Sequence, residues 1–243
     1  MKKIPLLLII AIIGTSAVAQ YQHTLKPSGN VITRDVAVKP FTAIKANGLY
    51  ELILTQGSTE SVKVETDDNL QSLIEVSNDG NTLLIDEPKL RNNGVNFESA
   101  DGERTKKQHF KIYVNFKSIS SLDVQTIGNT HADGTLNFDA LTINDRSVGS
   151  INLSLNAAKL TITNKGVGTI TLSGKVDNAV ITNSGVGSFK GEDLAVQTMH
   201  ITNSGVGHAE VNVVKDLIVK DSFLGKVSNS GPAKTRKLDG QEI

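Results

Sequence analysis

The 243-residue chain contains no cysteine. That absence excludes disulfides, thiolate metal sites, a cysteine nucleophile and a lipid-modified cysteine anchor. Tryptophan is also missing, and only three Tyr and seven Phe are present, so the core is expected to be aliphatic and no aromatic platform for stacking sugars is evident. Lys+Arg and Asp+Glu both number 25. Without a basic excess to neutralise a phosphate backbone, nucleic acid is not an expected partner. Hydrophobic residues make up 38%, which together with Gly permits a packed core. The length suits one long β-type domain or two small ones.

Residue order adds what composition leaves open. Lys2 and Lys3 lead into an apolar stretch from Leu6 to Ile13, and Ala17-Val18-Ala19 offers the small residues that a signal peptidase accepts. Residues 1–19 therefore read as a secretory signal peptide, because the apolar run is far below the roughly 20 residues that cross a bilayer. The mature chain is expected to begin near Gln20, with 23 basic and 25 acidic side chains once Lys2 and Lys3 are gone. No other stretch is long and apolar enough to span a membrane as a helix. The expected location is the periplasm, the cell surface or the exterior.

A repeat organises the second half. Ile162-Thr163-Asn164-Lys165-Gly166-Val167-Gly168 recurs nearly unchanged from Ile181 to Gly187 and from Ile201 to Gly207, with weaker copies ending at Gly128, Gly149 and Gly225. The closing glycines at 128, 149, 168, 187, 207 and 225 are 21, 19, 19, 20 and 18 residues apart. Such a period is too short for helical-hairpin repeats or propeller blades. Leucine-rich repeats would need a regular Leu ladder and a helical return, whereas the residues between motifs, such as Thr169-Ile170-Thr171-Leu172, alternate like strands. The sequence predicts an all-β fold: a parallel β-helix, a single-stranded solenoid with coils of about 18–21 residues, preceded by a less regular β part.

In such a solenoid equivalent residues stack about 4.8 Å apart in columns. Leu122, Ile143, Ile162, Ile181, Ile201 and Val219 form one aliphatic column, and Ser120, Leu141, Leu160, Ala179, Met199 and Leu217 form a second. A third, Ile127, Val148, Val167, Val186, Val206 and Leu224, is likewise expected to point inward. The column Asp145, Asn164, Asn183, Asn203 and Asp221 is expected at a bend, where stacked amides bond from coil to coil and glycine permits close backbone approach.

Elsewhere the pattern blurs. Glu51–Thr55, Ser61–Glu65, Thr82–Ile85 and the strictly alternating Phe110–Phe116 read as strands. The chain divides into the signal peptide, an N-terminal extension 20–37, an irregular β segment 38–118 with a polar insertion at 92–108, regular coils over 119–230, and a tail over 231–243. Whether 38–118 and 119–230 form one stack or two lobes is left open by the residues.

The chemistry is sparse. His23, His109, His131, His200 and His208 make no H-E-x-x-H pattern, so no metal is expected. Gly166-Val167-Gly168 and its copies lack the third glycine of a dinucleotide fingerprint and the Gly-Lys-Ser/Thr of a Walker loop, so no nucleotide or other cofactor is expected. There is no G-x-S-x-G elbow. Outward ionisable groups are predicted at Asp145, Arg146 and Lys165, the last two sharing a column continued by Ser184, Ser204 and Ser222. With Thr163, Thr182 and Thr202 they make a candidate ligand face.

The Ile-Thr-Asn-x-Gly-Val-Gly coils behind a leader resemble the family called putative auto-transporter adhesin, head GIN domain. The resemblance covers roughly Val38 to Lys226 and opens at Phe41-Thr42-Ala43-Ile44-Lys45-Ala46-Asn47-Gly48. It implies an exported β-helical protein of the bacterial envelope and assigns no catalytic residue. The expected function is non-enzymatic: adhesion or scaffolding at the cell envelope, with glycan or an envelope protein bound through a flat strand face. A polysaccharide-active lyase or hydrolase is the alternative, and assembly through the coil ends is a third possibility.

Overall fold

The computed structural model describes residues 24–88, 96–97 and 110–238. The expected signal peptide, the polar insertion apart from residues 96–97, His23, His109 and residues 239–243 of the tail lie outside the described residues. The N-terminal strands are β1 (Thr24–Leu25), β2 (Val31–Val36), β3 (Ala43–Gly48), β4 (Glu51–Gln56), β5 (Ser61–Asp67), β6 (Glu75–Asp79), β7 (Thr82–Asp86), β8 (Asn96–Phe97) and β9 (Lys111–Phe116). They are followed by β10 (Ser121–Thr126), β11 (Thr130–Asp145), β12 (Ile151–Asn164), β13 (Ile170–Asn183), β14 (Phe189–Asn203), β15 (Ala209–Asp221), β16 (Val227–Asn229) and β17 (Thr235–Lys237).

The chain forms a parallel β-solenoid. Each of β11 to β15 bends midway, so its two halves lie on two walls. One wall runs β6-β7-β3-β10, then through the C-terminal halves of β11 to β15, to β17. The other runs β2-β5-β9-β4, then through the N-terminal halves, to β16. The irregular N-terminal strands therefore pair directly onto the regular coils on both walls. Antiparallel pairing enters only at that end, between β2 and β5, β5 and β9, and β6 and β7. The third side is narrow, a file of single parallel bridges from Ile127 to Val148, Val167, Val186 and Val206.

Period-two alternation decides which side chains enter the core. Leu122, Ile143, Ile162, Ile181, Ile201 and Val219 are each at most 1% exposed. Leu141, Leu160, Ala179, Met199 and Leu217 are buried beside them, while Ser120 is exposed. From the opposite wall Ile151, Leu153, Ile170, Leu172 and Val211 meet these columns.

Two expectations need correction. The core is not purely aliphatic, because Phe41, Tyr50, Phe110, Phe116 and Phe189 are all buried. Four of these lie in or just before the N-terminal strands. Phe189 fits within the regular coils because Ala209 pairs beside it and a Cβ on Gly191 would press to 3.0 Å from its ring. The column Ile127, Val148, Val167, Val186, Val206 and Leu224 does not point inward: each side chain is about half exposed. Parity is the reason. Ile162, Asn164 and Gly166 are all buried, so Val167, an odd number of residues from Ile162, must face out.

The inward place at the corner belongs to the amide column. Asn164 Nδ2 donates to Asn183 Oδ1 at 2.7 Å, and Asn183 Nδ2 donates to Asn203 Oδ1 at 2.7 Å. All three residues are buried. Asn164 Oδ1 accepts from Gly166 N at 2.8 Å, and Asn203 Nδ2 ends the run on the carbonyl of Lys226 at 3.2 Å. Closing the corner, Gly168 takes φ +144°, and a Cβ there would collide with the carbonyl of Gly149. Glycine is thus required by conformation and by space.

Asn183→Ala deletes an acceptor and a donor from this buried ladder and should cost about 2–4 kcal/mol, on the scale of ~1–3 kcal/mol per orphaned partner. Thr182→Ala, one residue away but exposed, should stay within about 0.5 kcal/mol. Urea unfolding of the two variants checks the contrast; equal losses would contradict it.

Candidate functional site

The structure separates the residues picked from the sequence. Asp145 is buried, not outward, which corrects that expectation. Its Oδ1 accepts from the backbone N of Ser147 at 2.8 Å and from Ser147 Oγ at 2.6 Å, so it heads the inward amide column. Burial pushes its carboxyl above the usual range, against the bonds from Ser147 and the neighbouring Arg146 charge. Arg146 does face outward and grips Asp123, with Nη2 3.0 Å from both carboxylate oxygens. Lys165 is exposed. Thr163, Thr182 and Thr202 are register partners on the outer surface of one wall, the middle one exposed and the others half-buried. That wall is a regular sheet, and it brings these threonines into line without making a recess.

Concavity occurs instead at the bend within the long strands. Alternation skips there: Ala157 and Leu160 are buried while Ala158 and Lys159 between them face out, and the skip recurs at Asp177-Asn178 between Val176 and Ala179. Stacked bends make a corner along which a cleft of about 830 Å³ opens. Small side chains create the space. Ala157 lies where adjacent coils carry Phe138 and Val176, Ala158 lies between Asp139 and Asp177, and Ala195 lies beside Lys175.

The polar rim is partly preorganised. Asn156 Nδ2 donates to Asn137 Oδ1 at 3.0 Å, and Asn137 is held by Gln56 through N to Oε1 at 2.7 Å and Nε2 to O at 3.0 Å. Phe138 is fixed by stacking on buried Phe116, with ring centroids 6.3 Å apart and planes 16° from parallel. Ser118, Asp139, Lys175, Asp177 and Gln197 complete the lining. Sequence reasoning missed this cleft. Its signal was the pair of consecutive outward residues in each repeat, but depth at the corner depends on which sizes of side chain are stacked.

A second polar feature closes the first coil. The Glu87 side chain is buried, and its Oε2 accepts from Leu49 N at 2.6 Å while Oε1 has no partner among the described residues. Removal from water pushes its pKa up to about 7; the Leu49 bond opposes the rise and the nearby Asp86 charge adds to it. Burial also pushes the adjacent Tyr50 hydroxyl well up, with the Glu87 charge adding to that shift. Among the described residues no group of three or more His, Asp or Glu could hold a metal ion. No described helix is long and apolar enough to cross a membrane.

A family model described as "Putative auto-transporter adhesin, head GIN domain" matches residues 40–233. Among solved structures, a putative adhesin from Bacteroides fragilis NCTC 9343 is 24% identical, covering 88% of this chain and 100% of its own, with a TM-score of 0.69. A putative adhesin from Parabacteroides distasonis ATCC 8503 is 20% identical over 89% of this chain and 96% of its own, with a TM-score of 0.64. From the same organism, a putative lipid binding protein is 18% identical over 89% and 100%, with a TM-score of 0.58. At these identities the likeness shows the fold. None of the curated proteins matches the chain.

The raised Glu87 pKa has a definite sign for stability. The fold disfavours the charged carboxylate, so the contribution is fully present below the ordinary value of 4.5 and is lost as pH rises through about 7. The loss is on the order of 3 kcal/mol. Denaturant titrations from pH 4.5 to 8 should show this slope in the wild type and a flatter profile in Glu87→Gln; parallel profiles would contradict the assignment.

Proposed function

The chain belongs to the putative auto-transporter adhesin, head GIN domain family, and from that premise we propose an exported, non-enzymatic, adhesin-like protein of the cell envelope that holds a glycan along the corner cleft. The observation carrying this reading is the cleft's composition. Carbohydrate is bound by apolar surface for its C–H faces and by fixed polar groups for its hydroxyls, the usual make-up of a ligand site. The half-buried Phe138 and the exposed Ala158 supply the first; Asn137, Asn156 and Gln197 supply the second. The cleft spans several coils, so successive sugars would meet successive strands. The wall leading from it to Arg146 and Lys165 offers Thr163, Thr182 and Thr202 for further weak contacts.

One observation favours a polysaccharide-active enzyme as a second reading. Asp139 and Asp177 line the same cleft on either side of Ala158, two strand spacings or about 10 Å apart. That is close to the separation of carboxylates that act across a glycosidic bond with an intervening water, about 6.5–9.5 Å.

Glycan-array screening followed by calorimetry tests both. On the binding reading, Asn156→Ala and Gln197→Ala each weaken a captured glycan by about tenfold, or ~1.4 kcal/mol, while Lys190→Ala on the other wall has no effect. Binding untouched by the cleft substitutions would refute it. Cleavage of the captured glycan, abolished by Asp139→Asn or Asp177→Asn, would establish the enzymatic reading in its place.

A further inference from the structure

The third side of the solenoid carries a feature that the cleft does not use. Ile127, Val148, Val167, Val186, Val206 and Leu224 stand in file, each 49–59% exposed. The backbone beneath them is continuous: Gly149 N donates to Val167 O at 2.9 Å, Gly168 N to Val186 O at 2.9 Å, and Gly207 N to Leu224 O at 3.0 Å. At one strand spacing per coil the file is about 24 Å long. Phe223, 90% exposed, extends it at the C-terminal end. Single exposed aliphatics are ordinary on a protein surface, but an unbroken apolar strip of several hundred Å² marks an interaction site.

We propose that this strip is a self-association surface, on which two copies of the chain pack face to face with their solenoid axes antiparallel and a two-fold axis between Val167 and Val186. Area supports a second copy as occupant. The file and Phe223 together expose roughly 700 Å² of side chain, close to the ~800 Å² per partner of a standard-size interface. Shape supports it as well, because both strips carry branched side chains at the same repeat and can interdigitate in the manner of a dry zipper.

Charge is compatible with the antiparallel orientation. The column bordering the file holds cations on its early coils, Arg146 and Lys165, and serines on its later coils, Ser184, Ser204 and Ser222. In the proposed pairing Lys165 faces Ser184 of the second copy and Arg146 faces Ser204, so no like charges meet. The coil ends offer less. The N-terminal end is closed by antiparallel strands, and the C-terminal end by two three-residue strands beside Lys234, Arg236 and Lys237. Short, charged edges discourage strand pairing.

Sedimentation equilibrium of the chain from residue 20 onward, over about 5–200 µM, should show a monomer–dimer equilibrium. Val186→Asp and, more mildly, Val186→Ser should raise the dissociation constant by at least about thirtyfold and about threefold. Thr182→Asp on the neighbouring wall should leave it unchanged, with circular dichroism confirming that all three variants are folded. Because the chain has no cysteine of its own, Val167→Cys and Val186→Cys proteins can be mixed under oxidising conditions; the mixed disulfide dimer should form faster than either homodimer. A wild type that remains monomeric throughout, a dimer indifferent to Val186→Asp, or homodimers formed as readily as the mixed species would overturn the proposal.

Discussion

Close coil-to-coil contact at the glycine corner is the constraint on which the rest of the molecule depends. Every strand in the regular coils must lie at hydrogen-bonding distance above its predecessor, and the corner is where a bulky backbone would prop the coils apart. At Gly168 the space a Cβ would need is taken by the carbonyl of Gly149, and the same relation joins Gly187 to Gly168. Given that contact, Asn164, Asn183 and Asn203 come within bonding distance inside the bend, and buried amides that would be costly alone satisfy one another. Register on both walls then follows, because a slip of one residue would turn each aliphatic column out to solvent.

This architecture limits where function can reside. A flat wall of stacked strands presents rows of side chains at uniform height, which suits the Thr163-Thr182-Thr202 row but makes no enclosure. Along the regular coils depth arises where the stacked bends carry small residues beside large ones, as with Ala157 between Phe138 and Val176. The bend also explains why the cleft's amides are ordered. Asn137 and Asn156 are register partners, so the hydrogen bond between them is the outward counterpart of the inward Asn ladder. The cleft's side chains are thus held by the coil stacking that holds the core.

The buried carboxylates of Asp145 and Glu87, on the N-terminal side of the amide ladder, have a different character. Where the next three coils place Asn164, Asn183 and Asn203 at the bend, the coil containing Asp145 places a carboxylate, held by Ser147. One end further on, Glu87 caps the Leu49 amide beside Gly48. The Asn column itself ends in a carboxylate on either side, Asp145 before Asn164 and Asp221 after Asn203, and beyond Asp145 it continues through the apolar Val124, Ala46 and Ile85 at the N-terminal end, where the core widens and takes up Tyr50, Phe110 and Phe116. Burial of ionisable groups is concentrated there, and with it the sensitivity of the fold to pH.

The repeat itself was legible in the residues: the Ile143-Ile162-Ile181-Ile201 column, the amide column and the glycine corner are local patterns repeated at nearly constant spacing, and repetition alone implies stacking. Apolarity was the weaker guide. Val167 and its counterparts look like core by composition, yet their odd separation from Ile162 and its equivalents turns them outward, while Asp145, polar in composition, shares the parity of the buried asparagines and turns inward. Only the tertiary structure decided where each long strand bends midway, that the N-terminal strands join both walls, and that a cleft opens along those bends. Those features depend on side chains some 19 residues apart being set next to one another, and their combined sizes have no trace in any single repeat.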